Sequence, residues 1–251
     1  NISGHSDSQL PPFSAPILGL TIAIFAFALH TGALWQALNV GKGLRLGLPN
    51  VAGLLAWQVA LFALLAATRP ALRGLGALLL PLAGLAAFLS LTDMPSPGSD
   101  HPGWQVQSHV VLSLLSYGLF TMAALLALLM RAQEKSIRRG SPGRFLRLMP
   151  PLESADQALF ACIGAGFALL SLAIFSGLIF VENLLAQHLV HKTVLSLLGW
   201  LVYGMLLVGR WRFGWRGETA AGWTLAGFAL LFLAYFGSGI VLELILGRQW
   251  S

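Results

Sequence analysis

The sequence predicts an all-α membrane protein, a polytopic bundle of seven transmembrane helices. Three observations lead there. Hydrophobic residues make up 57% of the 251-residue chain and charged residues only 10%, where a soluble domain carries roughly 25% charged residues. The mean hydropathy is +0.77. The apolar residues are also gathered into long runs of about 20, the length a helix needs to cross the hydrocarbon of a bilayer.

The predicted elements follow from the punctuation between those runs. A polar, proline-containing tail over 1–16 precedes a first helix over 17–38. After the turn Gly41-Lys42-Gly43 a second helix spans 51–68, and Arg69-Pro70 ends it because proline disfavours helix at the residue before it. The third runs over 74–91. Residues 93–107 hold Pro95, Pro97, Gly98, Pro102 and Gly103, a composition that suits a loop. The fourth helix covers 109–130, the strongly basic segment 131–147 follows, and the remaining helices cover 157–180, 193–208 and 220–246. One domain is therefore expected over 1–251, with the bundle over 17–246. The chain starts at Asn1 rather than Met, so an additional N-terminal segment is expected as well.

The cations orient the bundle. Linkers two-to-three, four-to-five and six-to-seven carry 2, 6 and 3 of the 15 Lys and Arg residues, whereas Lys42, Arg45, Lys192 and Arg248 are the only cations of the opposite face. The positive-inside rule makes the richer face cytoplasmic and the C-terminus periplasmic. The formal charge of +6 is thus a topology signal and not a nucleic-acid surface.

Three histidines stand out in this topology. An imidazole in hydrocarbon loses its water hydrogen bonds and needs a partner, a cavity or a ligand. His30 falls about two thirds of the way across the first helix, roughly 12 Å below its outer end. His109 and His191 begin the fourth and sixth helices at that same outer face. All three can line one outward cavity, and two imidazoles from different helices can approach a porphyrin iron from opposite faces. Ser108 and Lys192 lie where a propionate would reach the surface, and His109, Ser113, Ser116 and Tyr117 trace one helical face. The bland alternatives are helix-end histidines at the water interface and, for His30, a ring bonded to a neighbouring helix. His188 shares a helical face with His191 if the linker is helical, whereas His5 and His101 are expected in solvent. Glu182 and Glu243 can pair with Lys192 and Arg248 or orient a histidine.

Other chemistry finds little support. Cys162 is the only cysteine, so no intrachain disulfide or Cys-rich metal site exists. No Walker motif, nucleophile elbow, HExxH or paired catalytic carboxylates occur. Trp35, Trp104, Trp211 and Trp215 suit interfacial anchors, while Trp57 and Trp200 lie deeper.

Several segments then resemble the cytochrome c assembly superfamily of haem-handling membrane proteins, in particular its YpjD-like inner-membrane branch. They are His109-Val-Val-Leu-Ser-Leu-Leu-Ser-Tyr117, His191-Lys-Thr-Val-Leu-Ser-Leu-Leu-Gly-Trp200, Gly214-Trp-Arg-Gly217 and Leu233-Ala-Tyr-Phe-Gly-Ser238. The resemblance implies an eighth helix ahead of the first, and a haem ligand at His109. The family's Trp-Asp motif is replaced here by Glu182-Asn-Leu-Leu-Ala-Gln-His-Leu-Val-His191, and no histidine follows the last helix. A second ligand would therefore come from His191 or His30.

The expected function is haem handling: holding or moving haem b at the outer face of the bacterial inner membrane, as a carrier more than a catalyst. His109, His191 and His30 are the expected iron ligands, with Tyr117 and Lys192 completing the site. The expected partners are haem, the bilayer and another inner-membrane protein or cytochrome assembly factor, with no nucleic acid. The competing reading is a transporter accessory or assembly scaffold without cofactor, and a third is a quinone or proton site using His30, Tyr117 and Glu243.

Overall fold

A computed structural model of the chain describes residues 14–38, 48–89, 103–140, 149–180 and 187–240. Within them the side chains of 14–17, 38, 48–49, 89, 187–189, 191 and 236–240 are not described. The helices are α1 (Ser14–Leu38), α2 (Leu48–Thr68), α3 (Arg73–Leu89) after a 3₁₀ turn at Pro70–Leu72, α4 (Trp104–Arg138), α5 (Leu152–Phe180), α6 (Gln187–Phe213) and α7 (Gly217–Ile240). All seven are long and apolar enough to cross a membrane, and no strand occurs among the described residues. The chain is a multi-pass membrane protein.

Helix α4 is the axis of the bundle. It packs most extensively on α5, then on α7 and α2, while α2 pairs with α3 and α6 with α7. Its buried residues, from Leu114 and Phe120 through Met122, Leu126 and Met130 to Gln133, go most of the way around its circumference. At the other extreme α1 packs mainly on α2 and leaves Leu18, Ile22, Phe25 and Leu29 exposed, the surface a peripheral helix shows to lipid.

Contacts between helices are close where a glycine allows them. Gly118 of α4 lies under the Gln58 amide, where a Cβ would overlap that side chain. Gln58 is buried, and its Nε2 donates to the Leu114 carbonyl at 3.2 Å. The small residue and the amide together fix α2 against α4, as small residues do in membrane bundles.

Several helices exceed their predicted bounds. The tail predicted over 1–16 is helical from Ser14, with Pro16 in the first turn, where proline costs no hydrogen bond. The fourth helix starts at Trp104 instead of 109 and continues to Arg138 instead of 130, so the first half of the predicted basic linker is helix. The fifth begins at Leu152 rather than 157, and the sixth spans Gln187–Phe213 rather than 193–208. Helical backbone satisfies its own polar groups, so a helix need not stop where apolar side chains stop. The predicted positions Lys42, Arg45, Asp93, Asp100, His5, His101, Glu182, Asn183, Glu243 and Arg248 lie outside the described residues.

Replacing Gly118 by valine forces a branched side chain into the space of the Gln58 amide. The expected result is a loss of about 1–3 kcal/mol, the usual cost of overpacking, seen as a lower Tm of the purified protein. An unchanged Tm would mean that α2 and α4 are not packed through this contact.

Candidate functional site

His109 stands in the second turn of α4, about 7 Å from the helix start at 1.5 Å per residue. This corrects its predicted place at the very end of the helix: Trp104 to Ser108 are helical, so the ring lies inside the bundle. Its Nδ1 donates to the Ala173 carbonyl of α5 at 2.8 Å, with Ser176 Oγ at 3.0 Å. Ser176 Oγ donates to that same carbonyl at 2.8 Å. A carbonyl only accepts, so Nδ1 carries a proton, and in the neutral ring Nε2 is then the nitrogen with the lone pair. Gly177 makes room for the ring, since a Cβ there would stand 3.1 Å from His109 Cε1.

The interhelical bonds fix the level of each histidine. Gln58 is level with Leu114 through their hydrogen bond, and α2 runs parallel to α4, so five residues back on each brings Gly53 level with His109. His30 faces the Gly53 backbone and therefore shares that level. On α6, Ser196 contacts Tyr117, and Tyr203 stacks on Phe120 with ring centroids 3.9 Å apart. Counting back from these pairs puts backbone positions 188–192, which include His188, His191 and Lys192, at the His109 level to within about one turn. By this count His30 and His109 lie within about one turn of the same level, closer in depth than predicted.

Within that layer the histidines have different neighbours. The His30 ring lies against α2 with Nε2 buried and unpartnered, whereas the His109 ring lies against α5. No described contact joins them. The side chains of His188 and His191 lie outside the described residues, and Lys192 is half-buried. Tyr117 gives its proton to the Leu231 carbonyl of α7 at 3.0 Å and rests on the Tyr235 ring. Ser116 is buried and donates to the Gly166 carbonyl, while Ser113 bonds back to the His109 carbonyl. The predicted face of α4 therefore divides, with His109 and Ser116 toward α5 and Tyr117 toward α7. Among the described residues no group of three or more His, Cys, Asp or Glu could hold a metal ion. Axial ligation of a porphyrin iron needs only two side chains.

Residues 46–246 match the model of the cytochrome c assembly protein family. The chain belongs to the cytochrome c assembly family. It is 35% identical to "Inner membrane protein YpjD" of Escherichia coli, over 91% of this chain and 88% of that protein. It is 25% identical to "Cytochrome c biogenesis protein CcsA" of Synechococcus elongatus over 89% and 83%, and 27% identical to "Protein HemX" of Brevibacillus brevis over 61% and 57%. No solved structure matches.

In this member of the cytochrome c assembly family the Gly214-Trp-Arg-Gly217 segment forms the turn between α6 and α7. Gly214 and Gly217 have φ of +66° and +59°, which only glycine adopts cheaply. Gly214 N–H caps α6 on the Arg210 carbonyl at 3.1 Å. Trp215, predicted as an interfacial anchor, instead folds back over Gly209 and stacks near Trp223.

A buried ion pair that sequence reasoning missed holds this turn. Arg210 Nη1 stands 2.8 Å from Asp156 Oδ2 of α5, donates to the Trp215 carbonyl at 3.2 Å and lies over the Phe160 ring. Asp156 Oδ1 accepts from Gly217 N–H at 3.4 Å. The one available signal was an acid just before a predicted span, with an arginine ending another.

Asp156→Ala leaves the arginine without its counter-charge. The expected cost is about 2–3 kcal/mol, less than the roughly 3–5 kcal/mol of a fully buried pair because Arg210 keeps 30% of its side chain exposed. It is read as a lower Tm and checked by a double-mutant cycle with Arg210→Met. Additive single effects would show that the pair does not couple.

Proposed function

We propose that this protein handles haem in support of cytochrome c assembly, holding or moving haem b at the outer face of the bacterial inner membrane. His109 Nε2 would hold the haem iron, with His191 as its first mate and His30 as its second. The observation that carries the reading is the Nδ1–H bond of His109 to the Ala173 carbonyl. Metal-binding histidines characteristically donate their second nitrogen to a carbonyl or carboxylate, which fixes the tautomer and aims the lone pair.

The names of the relatives support the setting: one is an inner membrane protein and another a cytochrome c biogenesis protein. The shared level of His30, His109 and backbone positions 188–192 supports the choice of mates. Lys192 supplies a cation for a propionate, and Tyr117 holds α4 to α7 beside the site. The basic linkers face the cytoplasm and the C-terminus the periplasm in this reading. Haem is the cargo, and the partner that gives or takes it is another inner-membrane protein or a cytochrome assembly factor.

His109 also satisfies a purely structural role, because its bond to α5 joins two helices. That favours the scaffold without cofactor as the second reading, and one experiment separates the two. The purified protein, with and without added haem, should show a Soret band that His109→Ala abolishes and His191→Ala weakens. His109→Gly with added imidazole should recover the band, which lost packing alone would not do. A protein with no Soret band under either condition is the scaffold.

A further inference from the structure

The far end of the bundle from the histidine layer carries exposed cations whose arrangement does not depend on haem. We propose that the seam between the ends of α4 and α7 binds the phosphate headgroup of an anionic phospholipid, through Arg131 and Lys135.

The argument begins with the length of α4. Its 35 residues span about 52 Å, more than the roughly 30 Å of hydrocarbon, so its last turns stand at and beyond the headgroups. The apolar run of α4 ends at Met130, which is buried, and Arg131 follows immediately. Arg131 therefore sits at headgroup level and Lys135 one turn beyond it.

Both cations lie on the side of α4 that meets α7. A Cβ at Gly222 of α7 would stand 3.5 Å from an Arg131 terminal nitrogen, and Arg138, seven residues after Arg131, pairs with Glu218 of α7 at 2.8 Å. Lys135 lies between them by helical spacing. The Arg131 guanidinium thus lies against the α7 backbone at Gly222, which holds it at the seam.

The charges of this end are unequally used. Asp156 neutralises Arg210, and Glu218 neutralises Arg138. Arg131 and Lys135 are exposed and make no ion pair among the described residues. Glu134 turns toward Gly217, where a Cβ would stand 3.1 Å from its Oε1. The seam thus offers a guanidinium fork and an ammonium at the headgroup level, at the same end of the bundle as Trp211, which is 86% exposed near the end of α6 and suits an interfacial anchor. An anionic lipid meets that charge and that depth together, whereas a soluble acidic ligand meets only the charge.

The test titrates the purified full chain in a neutral detergent with phosphatidylglycerol, phosphatidylcholine or inorganic phosphate, reading Tm and bound lipid by native mass spectrometry. Phosphatidylglycerol should bind and raise Tm where phosphatidylcholine does not. Arg131→Gln with Lys135→Gln should weaken that binding roughly tenfold or more, while Arg131→Lys with Lys135→Arg and a control, Arg212→Gln with Arg216→Gln, should retain it. Equal response to both lipids, undiminished binding by the double glutamine variant, equal loss in the control, or the same stabilisation from inorganic phosphate would each overturn the proposal.

Discussion

The structure depends on one constraint, that a polar side chain inside hydrocarbon is costly without a partner, and where that partner lies on another helix the two helices are tied together. Four such bonds converge on α4. Gln58 donates to its Leu114 carbonyl, and its own His109 and Ser116 donate to α5 carbonyls at Ala173 and Gly166, while Tyr117 donates to the α7 carbonyl at Leu231. Apolar packing against lipid or helix differs little in energy, so it sets register weakly. A hydrogen bond contributes about 1 kcal/mol in this medium but is directional, so it selects one register where apolar packing allows several.

Two ends of unlike character follow. At one end the histidine layer places imidazoles among small residues and hydroxyls, with one ring nitrogen of His30 buried without a partner. At the other, glycine turns, a folded-back tryptophan and the Asp156–Arg210 pair lock α5, α6 and α7 together. The locked end ties three helices through one turn, and the histidine layer lies at the opposite end of the bundle. Arg131 and Lys135 remain outside the lock, on the surface that meets the lipid headgroups.

Much of the fold was legible in the sequence because apolar runs report directly on what lipid tolerates. The number and order of the helices and the burial of Cys162 inside an apolar run follow from that rule. Helix ends were less legible: Trp104 to Ser108 and Arg131 to Arg138 are polar enough to read as linker, yet the backbone continues because helix satisfies itself. That shift alone changed the level assigned to His109. Asp156 and Arg210 read as separate linker charges, since nothing in a single sequence couples residues on two helices.

By itself the sequence determined the class, the seven crossings, the charge asymmetry and the histidines as the polar residues needing an explanation, all through the cost of placing polar groups in hydrocarbon. Tertiary structure alone decided which partner each polar group found. It put His109 Nδ1 on the Ala173 carbonyl, sent Tyr117 toward α7, set Gln58 against Leu114, and paired Asp156 with Arg210. These outcomes depend on helix rotation and depth, which hydropathy does not encode and which hydrogen bonds between distant segments settle.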